Sequence, residues 1–226
     1  MNIPLSKRLQ VCAGFVAPGD RVADIGCDHG YLGIYLLQNN IASSVIASDI
    51  NEGPLQSAVR NAEKFGFREQ MHFFLSDGAR NIPRDFDALI CAGMGADTMV
   101  SILEGAPWLR SHQYRLILQC QSKTPMLRRY LTETGWRITE ESVLRDGRFL
   151  YTVMEVIWEP GQALSVGGIY FPPALLENPG KELPEYYQQV LFRLRRAVTG
   201  QGEQADPEMV AALEELENDP KLQWLR

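Results

Sequence analysis

The sequence predicts an α/β protein: a seven-stranded, mostly parallel sheet with helices between its strands, followed by a C-terminal helical hairpin. Three observations predict it. Short apolar runs alternate with helix-period segments from residue 21 to residue 134, the pattern of parallel strands joined by crossover helices. Two runs rich in β-branched and aromatic residues, 135–144 and 148–158, flank Asp146-Gly147, a hairpin-turn pair that adds an antiparallel strand. Beyond Glu159-Pro160-Gly161 that pattern gives way, and the later apolar residues recur at helical spacing.

In order, the chain opens with a helix expected over residues 3–15, apolar at Leu5, Leu9, Val11, Cys12 and Phe15, with Ser6 as its cap. Pro18-Gly19-Asp20 is a turn. The first strand covers 21–26, and the helix after it runs to about residue 39. A second strand, 44–49, ends on Asp49, and a helix follows through residue 65. Strand three, 71–76, leads into Asp77-Gly78. Strand four, 86–92, ends at Gly93-Met94-Gly95-Ala96, before a helix through Met99, Ile102 and Leu103. Strand five covers 114–119 and its helix 124–134.

Residues 1–159 read as one domain and residues 160–226 as an appendage. Its first part, 160–182, is rich in Gly and Pro and reads as a long connection, with short strand pairing around Ile169-Tyr170-Phe171. A helix over 184–198 then presents Tyr187, Val190, Leu191, Leu194 and Val198 on one face. Asp206-Pro207 caps and starts the last helix, which continues through Met209, Leu213 and Leu216.

Composition narrows the function class. No apolar run approaches the ~18–20 residues of a membrane span, and the N-terminus lacks the apolar core of a leader peptide. The four cysteines (Cys12, Cys27, Cys91, Cys120) are far apart and the three histidines scattered, so no metal-site spacing arises. A reduced cytoplasmic enzyme is expected. The net charge of −6 argues against a generic nucleic-acid binder without excluding an RNA substrate.

The chemistry concentrates in Asp24-Ile25-Gly26-Cys27-Asp28-His29-Gly30-Tyr31-Leu32, a buried strand running through a glycine turn into a helix. Dinucleotide-binding turns carry a glycine midway, where a pyrophosphate meets a helix N-terminus. Here that place holds Asp28, whose carboxylate repels phosphate and suits a cation or a hydroxyl-rich group. The turn therefore favours S-adenosylmethionine, which has a sulfonium, an ammonium and no phosphate, over NAD, FAD or ATP. Asp24, Asp28, Asp49 and Asp77 all stand at or just past strand ends, which lie along one edge of a parallel sheet. Asp49 follows the turn by the spacing at which an acid holds ribose hydroxyls. Asp77 is placed to accept from an adenine amine, and Asp24 or Asp28 to meet an amino group. Gly26, Gly30, Gly93 and the residues after the two later acids, Ile50 and Gly78, complete the expected cofactor set.

The nine residues of the turn, together with Ile90-Cys91-Ala92-Gly93-Met94-Gly95 and Leu116-Ile117-Leu118-Gln119, resemble the bacterial tRNA adenine-N1 methyltransferases that modify adenine 22, the TrmK family. The resemblance spans about residues 3–159 and implies a Rossmann-like class I methyltransferase sheet, S-adenosylmethionine as cofactor and tRNA as substrate. It places Asp28, His29, Tyr31 and Met94 where cofactor and adenine meet, His29 and Tyr31 as orienting residues and Met94 packed on the base. The sequence departs from the family pattern at Cys27, Gly33, Ala96 and Cys120, where serine, proline, glycine and proline are usual. RNA contacts are expected from Lys7, Arg8, Lys123, Arg128, Arg129, Arg145 and Arg148, and from Arg193, Arg195 and Arg196 on the hairpin. A small-molecule methyltransferase and a non-catalytic cofactor- or RNA-binding module are the competing readings, and a monomer or weak dimer is the expected state.

Overall fold

The computed structural model describes residues 3, 5–161 and 163–226, so Pro4, within the first expected helix, lies outside the described residues. The strands are β1 (Asp20–Ile25), β2 (Ala42–Asp49), β3 (Met71–Leu75), β4 (Ala88–Met94), β5 (Arg115–Cys120), β6 (Trp136–Asp146) and β7 (Phe149–Trp158). They form one sheet in the order β3-β2-β1-β4-β5-β7-β6. The first five are mutually parallel, while β7 runs antiparallel to both β5 and β6. The expected Rossmann-like, seven-stranded sheet is therefore present. Its strand order reverses between β1 and β4, which opens a crevice beyond their carboxyl ends.

Alternation along the strands divides the core into two layers. Val22, Val45, Ala47, Ile90 and Ile117 pack beneath Cys12 of α1 (Lys7–Gly14), Ile34 and Leu36 of α2 (Tyr31–Gln38), and Ala58 and Ala62 of α3 (Glu52–Phe65). Ala23, Ile25, Leu89, Leu116 and Leu118 point the other way, onto Met99 and Ile102 of α4 (Ala96–Gly105) and Leu127 and Leu131 of α5 (Thr124–Glu133). Ser6 caps α1 through its side chain, as its position predicts.

Residues 163–182 depart from the expected loose connection. The pairing anticipated around Ile169 is a short helix, α6 (Val166–Tyr170), because Ser165 caps it by accepting from Gly168 N at 3.0 Å. Glu215 of α8 (Pro207–Asn218) also accepts from Gly167 N at 3.0 Å, drawing the segment onto α8. With α7 (Leu183–Gln201), α8 makes the expected hairpin. Phe171, Leu183, Tyr187, Leu191, Leu216 and Leu225 form a third core, which Val143 of β6 joins to the sheet domain.

Arg128 corrects an RNA-contact expectation. It is wholly buried, its Nη2 2.6 Å from Oε1 of an equally buried Glu141. Nη1 donates to the carbonyls of Ile169 (3.2 Å) and Tyr170 (2.8 Å), and Nη2 to the Tyr186 hydroxyl (3.1 Å). An arginine with all this hydrogen bonding inside the fold joins α5, β6, α6 and α7 and is unavailable to phosphate. Among the other cations named, Arg8 pairs with Asp146, Lys123 with Asp97, Arg129 with Glu208, Arg145 with Glu185 and Arg195 with Glu217.

Candidate active site

The glycine turn hangs from β1 and is clamped by β2. Gly26 N and Cys27 N both donate to the Ser48 carbonyl, at 2.8 and 2.9 Å. Asp49, almost fully buried, accepts from Asp28 N (3.2 Å) on one carboxylate oxygen and from Asn51 N (2.8 Å) on the other. Asp49 thus fixes the shape of the turn from the end of β2, without being among the residues that line the cavity described next. Gly26 has φ +73°, and a Cβ there would overlap the methyl of Met94 at the end of β4. Gly93, at φ +80°, donates its N–H to Gln119 Oε1 at 3.1 Å.

These strand ends enclose a cavity of about 190 Å³ at the switch point between β1 and β4. Asp24, Gly26, Asp28, His29, Tyr31 and Gly93 of the expected set line it together. Met94 packs against Gly26 but is not among the lining residues, and Gly30 is buried beneath the turn. Ile50, Asp77 and Gly78 stand along the same sheet edge but outside this cavity; Ile50 is 62% exposed and Asp77 pairs with Arg80 at 2.9 Å. The edge is continuous there, since Ser76 N donates to the Asp49 carbonyl at 2.9 Å.

Asp24 sets the electrostatics. It is 4% exposed, and its Oδ2 has no hydrogen-bond partner among the described residues. Burial, reinforced by the charge of Asp49, pushes its carboxyl from 3.8 up to about 7. A buried acceptor left unpaired is costly, so the cavity is built for a donor that reaches this oxygen. Asp28 and His29 are open to solvent at the mouth, with His29 Nε2 3.6 Å from Asp28 Oδ1 and the rings of His29 and Tyr31 5.9 Å apart. Cys27 also lines the cavity, but burial pushes its thiol up and makes it a poor nucleophile.

Outside the expected set, the cavity is also lined by Ser6, Arg8 and Leu9 at the start of α1, by Leu32 and Ala92 beside the two glycine turns, and by Gln119 and Gln121 after β5's apolar run. Gln119 carried a legible signal, a lone polar side chain closing the apolar run of β5, in the position that Asp24 holds on β1. The start of α1 carried none, because its approach to the crevice depends on packing across the sheet. Among the described residues no group of three or more His, Cys, Asp or Glu is placed to hold a metal ion, and no helix is long and apolar enough to cross a membrane.

A reversed strand order with a glycine turn and acids along its carboxyl edge defines a class I methyltransferase domain, and residues 5–154 match the methyltransferase domain family. The tRNA (adenine(22)-N(1))-methyltransferase of Bacillus subtilis is 35% identical over 154 residues, 68% of this chain and 65% of that protein. The chain thus aligns with just under two thirds of that relative's length. The Streptococcus pneumoniae Sp1610 structure, a putative tRNA (m1A22) methyltransferase in complex with S-adenosyl-L-methionine, is 30% identical with a TM-score of 0.80, covering 95% of this chain and 98% of that one. The structure of B. subtilis TrmK superposes with a TM-score of 0.78 at 29% identity over 99% and 98% of the two chains. This chain belongs to the tRNA (adenine(22)-N(1))-methyltransferase family.

Proposed function

We propose that the protein uses S-adenosylmethionine to methylate N1 of an unpaired adenine at position 22 of tRNA, producing 1-methyladenosine in the cytoplasm. The observation that carries this reading is the buried Asp24 carboxylate, with an unpaired oxygen, beside a glycine turn in a cavity at the switch point, in a chain of this family.

The residues present fit the cofactor. Asp24 offers its unpaired oxygen to an ammonium, the left-handed backbone of Gly26 and Gly93 shapes the turns that line the cavity, and Asp49 stands at the end of β2 for ribose hydroxyls. Exposed Ile50 offers an apolar face to a purine and Asp77 an acceptor to its amine, with Gly78 completing the turn. When bound, the cofactor supplies an electrophilic methyl group on a positively charged sulfur.

Adenine N1 carries an in-plane lone pair at neutral pH, so no side chain has to remove a proton first. The protein's work is orientation: holding nucleophile and methyl group in line is worth several orders of magnitude in rate. Asp28, His29 and Tyr31 surround the mouth where the base enters, and Met94 packs against Gly26. The carboxylate of Asp28 stabilises the positive charge that develops on the methylated base. Because N1 lies on the pairing edge, the adenine has to leave its stack to reach this crevice.

The direct test is to incubate the protein with S-adenosylmethionine and unmodified tRNA, digest the RNA and identify its nucleosides by mass. The expected product is 1-methyladenosine at position 22. Its absence across tRNAs with an unpaired adenine there overturns the reading.

A further inference from the structure

A second cavity, of about 520 Å³, opens where the turn between β5 and α5, the tip of the β6–β7 hairpin and α7 meet. Gln121 lines both this cavity and the catalytic crevice, so the two adjoin. Their chemistry differs. No Asp or Glu is among the lining residues of the second cavity, whereas Lys123 and Arg193 are, in a chain of net charge −6. Lys123 is braced by Asp97 at 2.8 Å, but the nearest hydrogen-bond partner of Arg193 is the neutral Gln189, at 3.5 Å.

Aromatic surface accompanies these cations. Phe149, at the hairpin tip, is 52% exposed, and the Arg148 guanidinium lies 4.9 Å from its ring centre. Tyr151 lines the same wall, its ring carrying Arg8 at 5.1 Å, and Arg8 itself borders the catalytic crevice. Deeper in, Thr152 is 2% exposed, and its hydroxyl has no hydrogen-bond partner among the described residues. A buried hydroxyl without a partner is a cost that a polar ligand in the cavity removes.

We propose that this cavity is a second nucleotide subsite, holding the base of a nucleotide that flanks the target adenine. The base satisfies the Thr152 hydroxyl and its phosphate sits against Arg193, while Phe149, on the opposite face of β7 at the cavity's rim, stacks on the next base. A ring face, a buried hydrogen-bonding group and unopposed positive charge are what single-stranded RNA requires of a protein. The arrangement also addresses an energetic need. Extracting the target adenine leaves its neighbour without a stacking partner, and an aromatic platform beside the crevice offsets that loss. The inference rests on the tRNA methyltransferase reading and adds a second point of substrate contact.

Two variants test it, both in the full-length enzyme. Ala197→Trp, on α7, fills the cavity without changing charge; Phe149→Ala combined with Arg193→Ala removes the platform and the cation. Each is expected to raise KM for tRNA about tenfold while calorimetry finds S-adenosylmethionine affinity unchanged. Both double-variant side chains are exposed, so that protein keeps the test decisive if the cavity-filling variant does not fold. Irradiating the enzyme with 4-thiouridine-substituted tRNA is expected to give adducts within residues 148–152 or 190–197. Unaltered KM for tRNA in the double variant, with 1-methyladenosine still formed, overturns the subsite and leaves the cavity to a protein partner. If the unaltered enzyme forms no 1-methyladenosine, the failure lies instead in the reading beneath.

Discussion

The methyl group of Met94 occupies the space that a side chain on Gly26 would need. The two residues end β4 and follow β1, so their contact ties together the strands on either side of the switch point. A methyl added at Gly26 meets Met94 and also has to adopt φ +73°, where side chains are strained. Gly26→Ala is expected to weaken S-adenosylmethionine binding at least tenfold and to cost about 1–3 kcal/mol of stability. Adding Met94→Ala relieves the overlap but not the backbone strain, so stability returns only in part. Thermal melts and titration calorimetry on the single and double variants measure both effects, and a fully stable Gly26→Ala protein refutes the account.

Asp49 holds the turn through Asp28 N and Asn51 N. Asp49→Ala leaves both N–H groups without their acceptor and removes the proposed ribose acceptor. Cofactor binding is expected to weaken by about 1–3 kcal/mol, the cost of unmatched buried polar groups. Unchanged affinity by calorimetry rules the ribose assignment out.

The proposed role of Asp24 is expected to make cofactor binding pH-dependent. The folded protein holds this proton up to about pH 7, whereas the unfolded chain releases it near 3.8. Between those values the folded state binds more protons, so the contribution of Asp24 to stability falls as pH rises through the window and then levels off. An ammonium bound beside the carboxylate favours its charged form, so binding releases a proton. Affinity is expected to rise several-fold from pH 6 to pH 7.5, and Asp24→Asn to lose that rise. Calorimetry in buffers of different ionisation enthalpy counts the protons; equal pH profiles for the two proteins contradict the assignment.

Arg128 is structural, and its loss should be read as stability rather than as RNA affinity. Arg128→Met strands Glu141 as an unpaired buried charge, at an expected cost of about 3–5 kcal/mol. Replacing Glu141 by Leu as well removes the stranded charge and restores much of the melting temperature. A single variant as stable as the parent shows that the pair does not tie the hairpin to the sheet.

Much of the candidate site's lining was legible because its signals are local. Asp24, Asp28, Gly26 and Gly93 are marked by turn chemistry at the ends of apolar runs, and the sheet brings all four to one cavity. Gln119 carried the same signal and needed only to be read as the acids were. Gln121 and Leu9 carried none, since each reaches the crevice through neighbours remote in sequence.

By itself, the sequence determined the alternation of strands and helices, the antiparallel closing hairpin and the glycine turn with its acids. Hydrophobic period and turn preference act over a few residues, so they survive in a bare string. Only the tertiary structure decided what the charges do. Arg128 and Arg129 are adjacent on α5, yet one is buried against Glu141 and Tyr186 while the other stays part-exposed beside Glu208. The same packing made residues 166–170 helical and left Thr152 unpartnered beside an acid-free cavity. Those outcomes depend on which distant segment arrives to cover a residue, and burial by such a segment decides whether a cation is a strut or a contact.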